Sequence, residues 1–382
     1  VTPDSTKPPL VSFAKIDYNT GELTFEFNEP VNPLTMNPVK ITLSDDDNAN
    51  QVEHTLTLTG GSTSSSVGPT IVLKMSPDDL NTLKSNQGLC KKRLGFDCSV
   101  TMEPEFIKDM SDNVVADTAS DFDSLVQLVV LDTGGPILVK STIDIQDGKL
   151  TLSFDEPVDG SPVKLTAVSL IDVDTLSSAT RILALSSTET VADGIELTLD
   201  IDAADLLELK ATGGLCTSAA NCFVHVTSEL VLDVTRTSNS NSDTASTNAN
   251  KNIATVTAVK VTTLTPDSTI PTMSQFVNFN PSTGAAQLKF SEPMDTSALV
   301  FASFTFQAIA DNSNDNAVKY PLTKDGTVAY VDDDTKLEVV ITMHADDLEA
   351  IQLLTNTLLT SVSNSFITVA ENAIQDMAGK QL

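Results

Sequence analysis

The 382-residue chain has no tryptophan and only 3 Tyr and 3 His. Aromatics make up 5% of it, too few to wall a sugar-binding cleft, so the many carboxylates do not argue for a glycosidase. Basic residues are scarce: 22 Lys+Arg face 52 Asp+Glu, for a formal charge of −30. Such a chain repels phosphate backbones, and no basic patch relieves the repulsion, so nucleic acid is excluded as a partner. There is no run of 18 apolar residues, so no helical membrane span is expected. There is no Gly-x-Ser-x-Gly elbow, and His54, His225 and His344 lie in unlike contexts, so no nucleophilic triad is expected and the chain reads as a non-enzyme. Asn-x-Ser/Thr sequons are absent, since Asn280 is followed by proline. The first residue is Val, and no signal segment is visible. The sequence therefore reads as a mature or excised piece of something longer.

What is present is more telling. Apolar residues form 40% of the chain, enough for packed cores. The 4 cysteines fall in two close pairs, Cys90/Cys98 and Cys216/Cys222. Neither pair has the two-to-four-residue gap of a zinc site, and no histidine stands nearby in a ligand pattern. Two local disulfides are expected, and with them an oxidising, extracellular or cell-surface setting.

Self-comparison reveals a threefold repeat. Glu22-Leu-Thr-Phe-Glu-Phe-Asn-Glu-Pro-Val31 reads against Lys149-Leu-Thr-Leu-Ser-Phe-Asp-Glu-Pro-Val158, and both read against Gln287-Leu-Lys-Phe-Ser-Glu-Pro-Met294. Gly21, Gly148 and Gly284 precede the three phrases. Further along each copy comes a strand-like run and then a short acidic helix, at 76–83, 202–209 and 344–351. Ile107-Lys-Asp-Met110, Val231-Leu-Asp-Val234 and Ile374-Gln-Asp-Met377 follow near the ends. The cystine loop belongs to the first two copies only. The junction Val1-Thr-Pro-Asp-Ser-Thr-Lys-Pro8 returns as Leu264-Thr-Pro-Asp-Ser-Thr-Ile-Pro271, with 131–136 as a looser version. Domains are drawn at 1–135, 136–270 and 271–382.

Leu23, Phe25 and Phe27 alternate with polar residues, as do Leu150, Leu152 and Phe154, which marks strands with one buried face. The Gly-containing turns before them predict hairpins. Proline after glutamate is expected to stop each strand, because it removes a ladder donor. Ser76 and Asp202 suit helix caps, and the acids behind them suit the helix dipole. Further strands are expected at 39–43, 54–58, 71–75, 100–102 and 126–131. This gives about seven strands per copy, the count of a sandwich. The third copy stops before its last strand, which is expected from sequence beyond Leu382 or from another polypeptide. The segment 235–252 is low in complexity, rich in Ser, Asn and Thr, and reads as a mobile loop that can carry O-linked sugars.

The phrase at 150–158, the later Asp-Met at 109–110 and 376–377, and the Asp-x-Thr-x-Pro junctions at 4–8 and 267–271 resemble the bacterial-type immunoglobulin-like repeats of large secreted and surface proteins of bacteria and algae. The resemblance implies an all-β chain of three tandem Ig-like β-sandwiches, each with one short helix. It also implies work as spacer, stalk or adhesive array. The expected function is thus an extracellular rod or filament-forming segment, whose partners are neighbouring repeats or further copies head to tail. The alternative is a calcium-dependent adhesin that recognises a surface glycan or protein. No cofactor is required, calcium being the one candidate. Its ligands would be the junction acids Asp4, Asp132 and Asp267, set beside the strand-end acids Glu29, Glu156 and Glu292.

Overall fold

The computed structural model describes residues 11–45, 54–86, 88–91, 98–115, 126–234, 250–311, 313, 317–354 and 357–382. Their secondary structure is mainly β, with three short α-helices. Buried apolar side chains gather into three separate cores, one in each third of the chain.

Unit 1 contains β1 (Val11–Asp17), β2 (Glu22–Asn32), β3 (Ile41–Ser44), β4 (Thr55–Thr57), β5 (Gly61–Ser62), β6 (Gly68–Met75), α1 (Pro77–Ser85), β7 (Ser99–Met102), β8 (Lys108–Asp109) and β9 (Leu128–Val130). One sheet runs β5-β6-β2-β1-β9, with β8 beside the end of β2, and a second runs β4-β3-β7. Unit 2 contains β10 (Leu138–Asp144), β11 (Lys149–Asp159), β12 (Val163–Lys164), β13 (Val168–Ile171), β14 (Ile182–Ala184), β15 (Thr188–Glu189), β16 (Gly194–Asp200), α2 (Ala203–Ala211), β17 (Phe223–Val226), β18 (Leu232–Asp233) and β19 (Val259–Thr265). Its strands follow the order β14-β13-β17-β19-β10-β11-β16, so β19 joins the two halves. Unit 3 contains β20 (Met273–Asn280), β21 (Ala285–Phe290), β22 (Met294–Asp295), β23 (Phe304–Gln307), β24 (Lys319–Pro321), β25 (Thr327–Tyr330), β26 (Glu338–Thr342), α3 (Ala345–Leu353), β27 (Phe366–Val369) and β28 (Gln375–Asp376). Its sheets are β20-β21-β26-β25, β24-β23-β27 and the pair β22-β28.

The alternation read in the sequence is the alternation of burial: Leu23, Phe25 and Phe27 face one core, Leu150, Leu152 and Phe154 another. Each hairpin turns on a glycine with positive φ, 67° at Gly21 and 64° at Gly148. A Cβ at Gly21 would also lie 2.9 Å from Leu80 of α1, so the glycine lets the helix close over the end of the sheet. The helices begin as their sequences suggest. Ser76 Oγ accepts from Asp79 N, Asp202 from Ala204 N, and His344 Nδ1 from Asp346 N.

In the third copy the strand ends at Phe290, before Pro293, but in the first two the prolines act differently from the expectation. Neither β2 nor β11 stops at Pro30 or Pro157. The ladder to β6 breaks between Glu26 and Val31, and the strand then pairs with β8, Val31 opposite Asp109. β11 repeats this, leaving its regular ladder with β16 after Ser153 and pairing Val158 with Asp233 of β18. Lacking an N–H, proline interrupts one ladder, and the bend carries the strand to another partner. The loop expected at 235–252 lies outside the described residues up to 249. Asn252 is instead buried and ordered by its bonds, accepting from Leu230 N and Val231 N.

Candidate functional site: the junctions between units

The last turn of α1 brings Lys84 across the boundary between units 1 and 2. Its ammonium lies 2.8 Å from Asp132 Oδ2 in the connecting segment and bonds to Glu156 on β11 of the next unit. All three side chains are almost wholly buried. The second boundary repeats the arrangement. Lys210 of α2 lies 3.1 Å from Asp267 and 3.1 Å from Glu292. Helix of one unit, connecting segment and Glu-Pro corner of the next therefore meet at one cation, twice.

A further carboxylate stands behind each cluster. Asp233 of β18 and Asp376 of β28 are the aspartates that recur near the repeat ends, and both are buried. Asp376 Oδ1 accepts from Ala378 N and Lys380 N, and Asp233 Oδ2 from the Asn250 side chain. Asp233 Oδ1 and Asp376 Oδ2 have no hydrogen-bond partner among the described residues. The equivalent Asp109 in unit 1 uses both oxygens, bonding Ser111 N, Asn113 N and the Asn113 side chain.

One ammonium thus faces several carboxylates in a dry setting. Burial pushes Glu156 up to about 7 against the pull of Lys84, and Asp132 and Asp233 push the same way. Burial likewise carries Asp233 to about 6. Glu292 and Asp376 are raised for the same reason, burial foremost. Burial pulls Lys84 and Lys210 down, yet their bonds to the acids outweigh it and hold both above the ordinary lysine value.

The sequence reading paired Asp132 with Glu156 and Asp267 with Glu292, and the structure brings each pair together. Asp4 lies outside the described residues. Glu29 is half-buried on β2. Among the described residues, no three His, Cys, Asp or Glu side chains are grouped to hold a metal ion, and the cation at each junction is a lysine. Beside the second cluster opens a cavity of about 310 Å³, lined in part by Lys210, Glu292, Asp376 and Cys216. Cys90 is bonded to Cys98, and Cys216 to Cys222, just beyond the two lysine-bearing helices.

Sequence reasoning missed the lysines, although the signal was present: Lys84 and Lys210 differ by 126, the offset of Cys90 and Cys216. The third helix has Gln352 at that place, bonded to Pro281 O. It also missed a carboxylate staple on each helix. Asp79 accepts from Thr59 and Gly60, Asp205 from Ser186, and Asp347 from Thr323, Lys324 N and Tyr320. These acids were read as partners of the helix dipole. They also pin the preceding loop.

No helix among the described residues is long and apolar enough to cross a membrane. No family model matches the chain, and no curated protein does. Among solved structures, the N-terminal part of the bacterial S-layer protein SbsC aligns at a TM-score of 0.21 and 10% identity, over 52% of this chain and 45% of that one. A longer SbsC structure, rSbsC(31-844), aligns at 0.22 and 10% over 88% and 41%, and SbsC domains 1-6 at 0.21 and 12% over 89% and 41%. The chain spans less than half the length of these S-layer structures. Similarity this low carries over neither fold nor function.

Proposed function

We propose that the chain is a non-enzymatic structural protein of the extracellular surface, a rod segment made of three tandem immunoglobulin-like β-sandwiches. The observation that carries this reading is the repeated lysine clamp, Lys84 with Asp132 and Glu156, and Lys210 with Asp267 and Glu292. A clamp that ties a helix, a connecting segment and the next unit's strand at one buried point removes the freedom of a hinge. Independent domains on a flexible string have no use for it. The two disulfides suit an oxidising compartment, and the −30 charge keeps such a surface solvated. Neighbouring units and further copies of the chain are its expected partners. Electron microscopy of single molecules tests the reading: class averages of one length and one shape support it, whereas particles bent over a wide range of angles at the two boundaries overturn it.

A further inference from the structure

We propose that the first junction closes covalently: Lys84 Nζ and Asp132 Cγ join in an amide, with Glu156 as the acid–base partner, which fixes the connecting segment to α1. The parts are in place. Lys84 Nζ lies 2.8 Å from Asp132 Oδ2 and donates a hydrogen bond to Glu156 Oε2. The three side chains are only 8%, 1% and 8% exposed, so the nitrogen and both carboxyls meet out of water. Asp132 Oδ2 has no aligned hydrogen-bond partner among the described residues, although the ammonium stands next to it. Asp132 Oδ1 accepts from Gly134 N at 3.0 Å. One oxygen of the carboxyl is therefore held by a backbone donor, and the other lies against the nitrogen.

The step is a condensation. The ammonium gives a proton to Glu156, which burial has raised to about 7 and which therefore takes and returns protons near neutral pH. Glu156 passes that proton to Asp132 Oδ2, and the freed amine attacks Asp132 Cγ. Negative charge develops on Oδ1, where the Gly134 N–H faces it. Glu156 carries a second proton from the nitrogen to Oδ2, the Cγ–Oδ2 bond breaks, and Oδ2 leaves as water. Nothing is oxidised or reduced, and Glu156 ends as it began. Two buried charges, costly to keep dry, become one neutral amide, and fixed proximity replaces activation of the carboxyl. Burial pulls Lys84 down, but its bonds to the acids outweigh this and hold it above the ordinary lysine value. The free amine is thus the minor form and closure is slow. Chains not yet closed keep the ionic clamp.

The second junction has the same groups in a looser and wetter setting. Lys210 Nζ lies 3.1 Å from Asp267 Oδ2, and Asp267 Oδ1 accepts from Thr269 N. The cavity of about 310 Å³ opens on Lys210, Asp267 and Glu292. Water at the lysine favours the ion pair over the neutral amine. The end of α1 is also held more firmly than that of α2. Lys91 Nζ donates to Leu83 O and Lys84 O, whereas Thr217 stands at the matching place in unit 2. The first junction is therefore the one that closes, and the second is its internal control.

The full chain is incubated at neutral pH, its cystines are reduced, and its intact mass is compared with that of the sequence. A loss of one water, together with a branched peptide joining Lys84 to Asp132 in tandem mass spectra, supports the proposal. Glu156→Gln keeps the shape but cannot take the proton, so it closes about a hundredfold more slowly. Lys84→Arg keeps the positive charge and retains the full mass. Formation of the Cys90–Cys98 bond verifies that unit 1 folds in both variants. Four results overturn the proposal: full mass after prolonged incubation, water lost within one unbranched peptide as a cyclic imide, a branch joining Lys84 to Glu156, or closure at the wild-type rate in Glu156→Gln. The proposal rests on the clamp reading, yet the two fail separately. A chain of full mass and uniform shape in micrographs overturns the amide and leaves the rod.

Discussion

Replacing Lys84 with methionine removes the ammonium that bonds Asp132 and Glu156 while keeping the length and apolar contacts of the stem. Asp132 and Glu156 then share a buried site with Asp233 without the ammonium that bonded them. Breaking a buried ion pair from one side costs roughly 3–5 kcal/mol, because the remaining charge is left without compensation. The surviving acids can relieve that cost only by binding protons. Glu156 already sits at about 7 and Asp233 at about 6, and losing the ammonium raises both. The penalty is therefore largest above pH 8 and shrinks toward pH 5, where protons do the work of the lysine. Calorimetric scans at the two pH values read this directly. At pH 8 the variant melts roughly 10 °C or more below the wild type, with units 1 and 2 separating into distinct transitions. At pH 5 most of that gap closes. Adding Glu156→Gln to the variant recovers part of the loss at pH 8, since one of the stranded charges is gone. A fall under about 2 °C at pH 8, or equal falls at both pH values, refutes the reasoning, because a clamp that carries no energy is only a proximity.

The wild type has its own pH dependence at the same junction. Glu156 and Asp233 are raised above their ordinary 4.5 and 3.8, so their protonated forms favour the folded state, and junction stability falls as pH rises from about 4 through 7; a melting temperature that climbs over this interval contradicts the assignment. Asp347 behaves in the opposite sense. Burial alone would raise it, but the bonds from Thr323, Tyr320 and Lys324 outweigh burial and lower it, so its contribution holds above pH 3.8 and is lost as pH falls through the lowered value. Asp347→Ala should cost unit 3 about 2–3 kcal/mol in urea unfolding at neutral pH, the loss of hydrogen bonds to a charged acceptor, and an unchanged midpoint would refute the staple. Millimolar calcium should leave the melting temperature unchanged, because lysines already neutralise the junction acids; a rise that a chelator reverses would favour the calcium-dependent adhesin over the rod.

Much of the local structure was legible, and for a physical reason. A strand with one buried face must alternate, so Leu150-Thr-Leu-Ser-Phe154 announces itself without any partner in view. Ser76 and Asp202 announce helix starts because capping is decided within a few residues. The consequence of Pro30 was not legible. That proline removes a donor is local knowledge, but the strand continues because β8, more than seventy residues away in sequence, offers a second ladder. The helix acids show the same limit. A carboxylate in the first turn of a helix suits the dipole wherever it points, and only the fold aims Asp79 inward at Thr59.

The junction acids were read as candidate ligands of calcium, and the structure places a lysine ammonium against Asp132 and Glu156 and another against Asp267 and Glu292. Clustered carboxylates demand a positive charge, and sequence distance made a bound ion seem the simplest supply. Lys84 is 48 residues from Asp132 and 72 from Glu156, with a whole repeat boundary between, so no local rule connects them. Repetition does. Among only 22 basic residues, one that recurs 126 positions later, directly after the apolar residue that seats the helix, is held by something that both copies share and the third does not. The third copy lacks the lysine and the cystine together. In both copies that carry it, the lysine reaches the connecting segment and a strand-end glutamate of the next unit, which is what a clamp between units requires. A lysine serving the stability of its own unit would have been needed in all three.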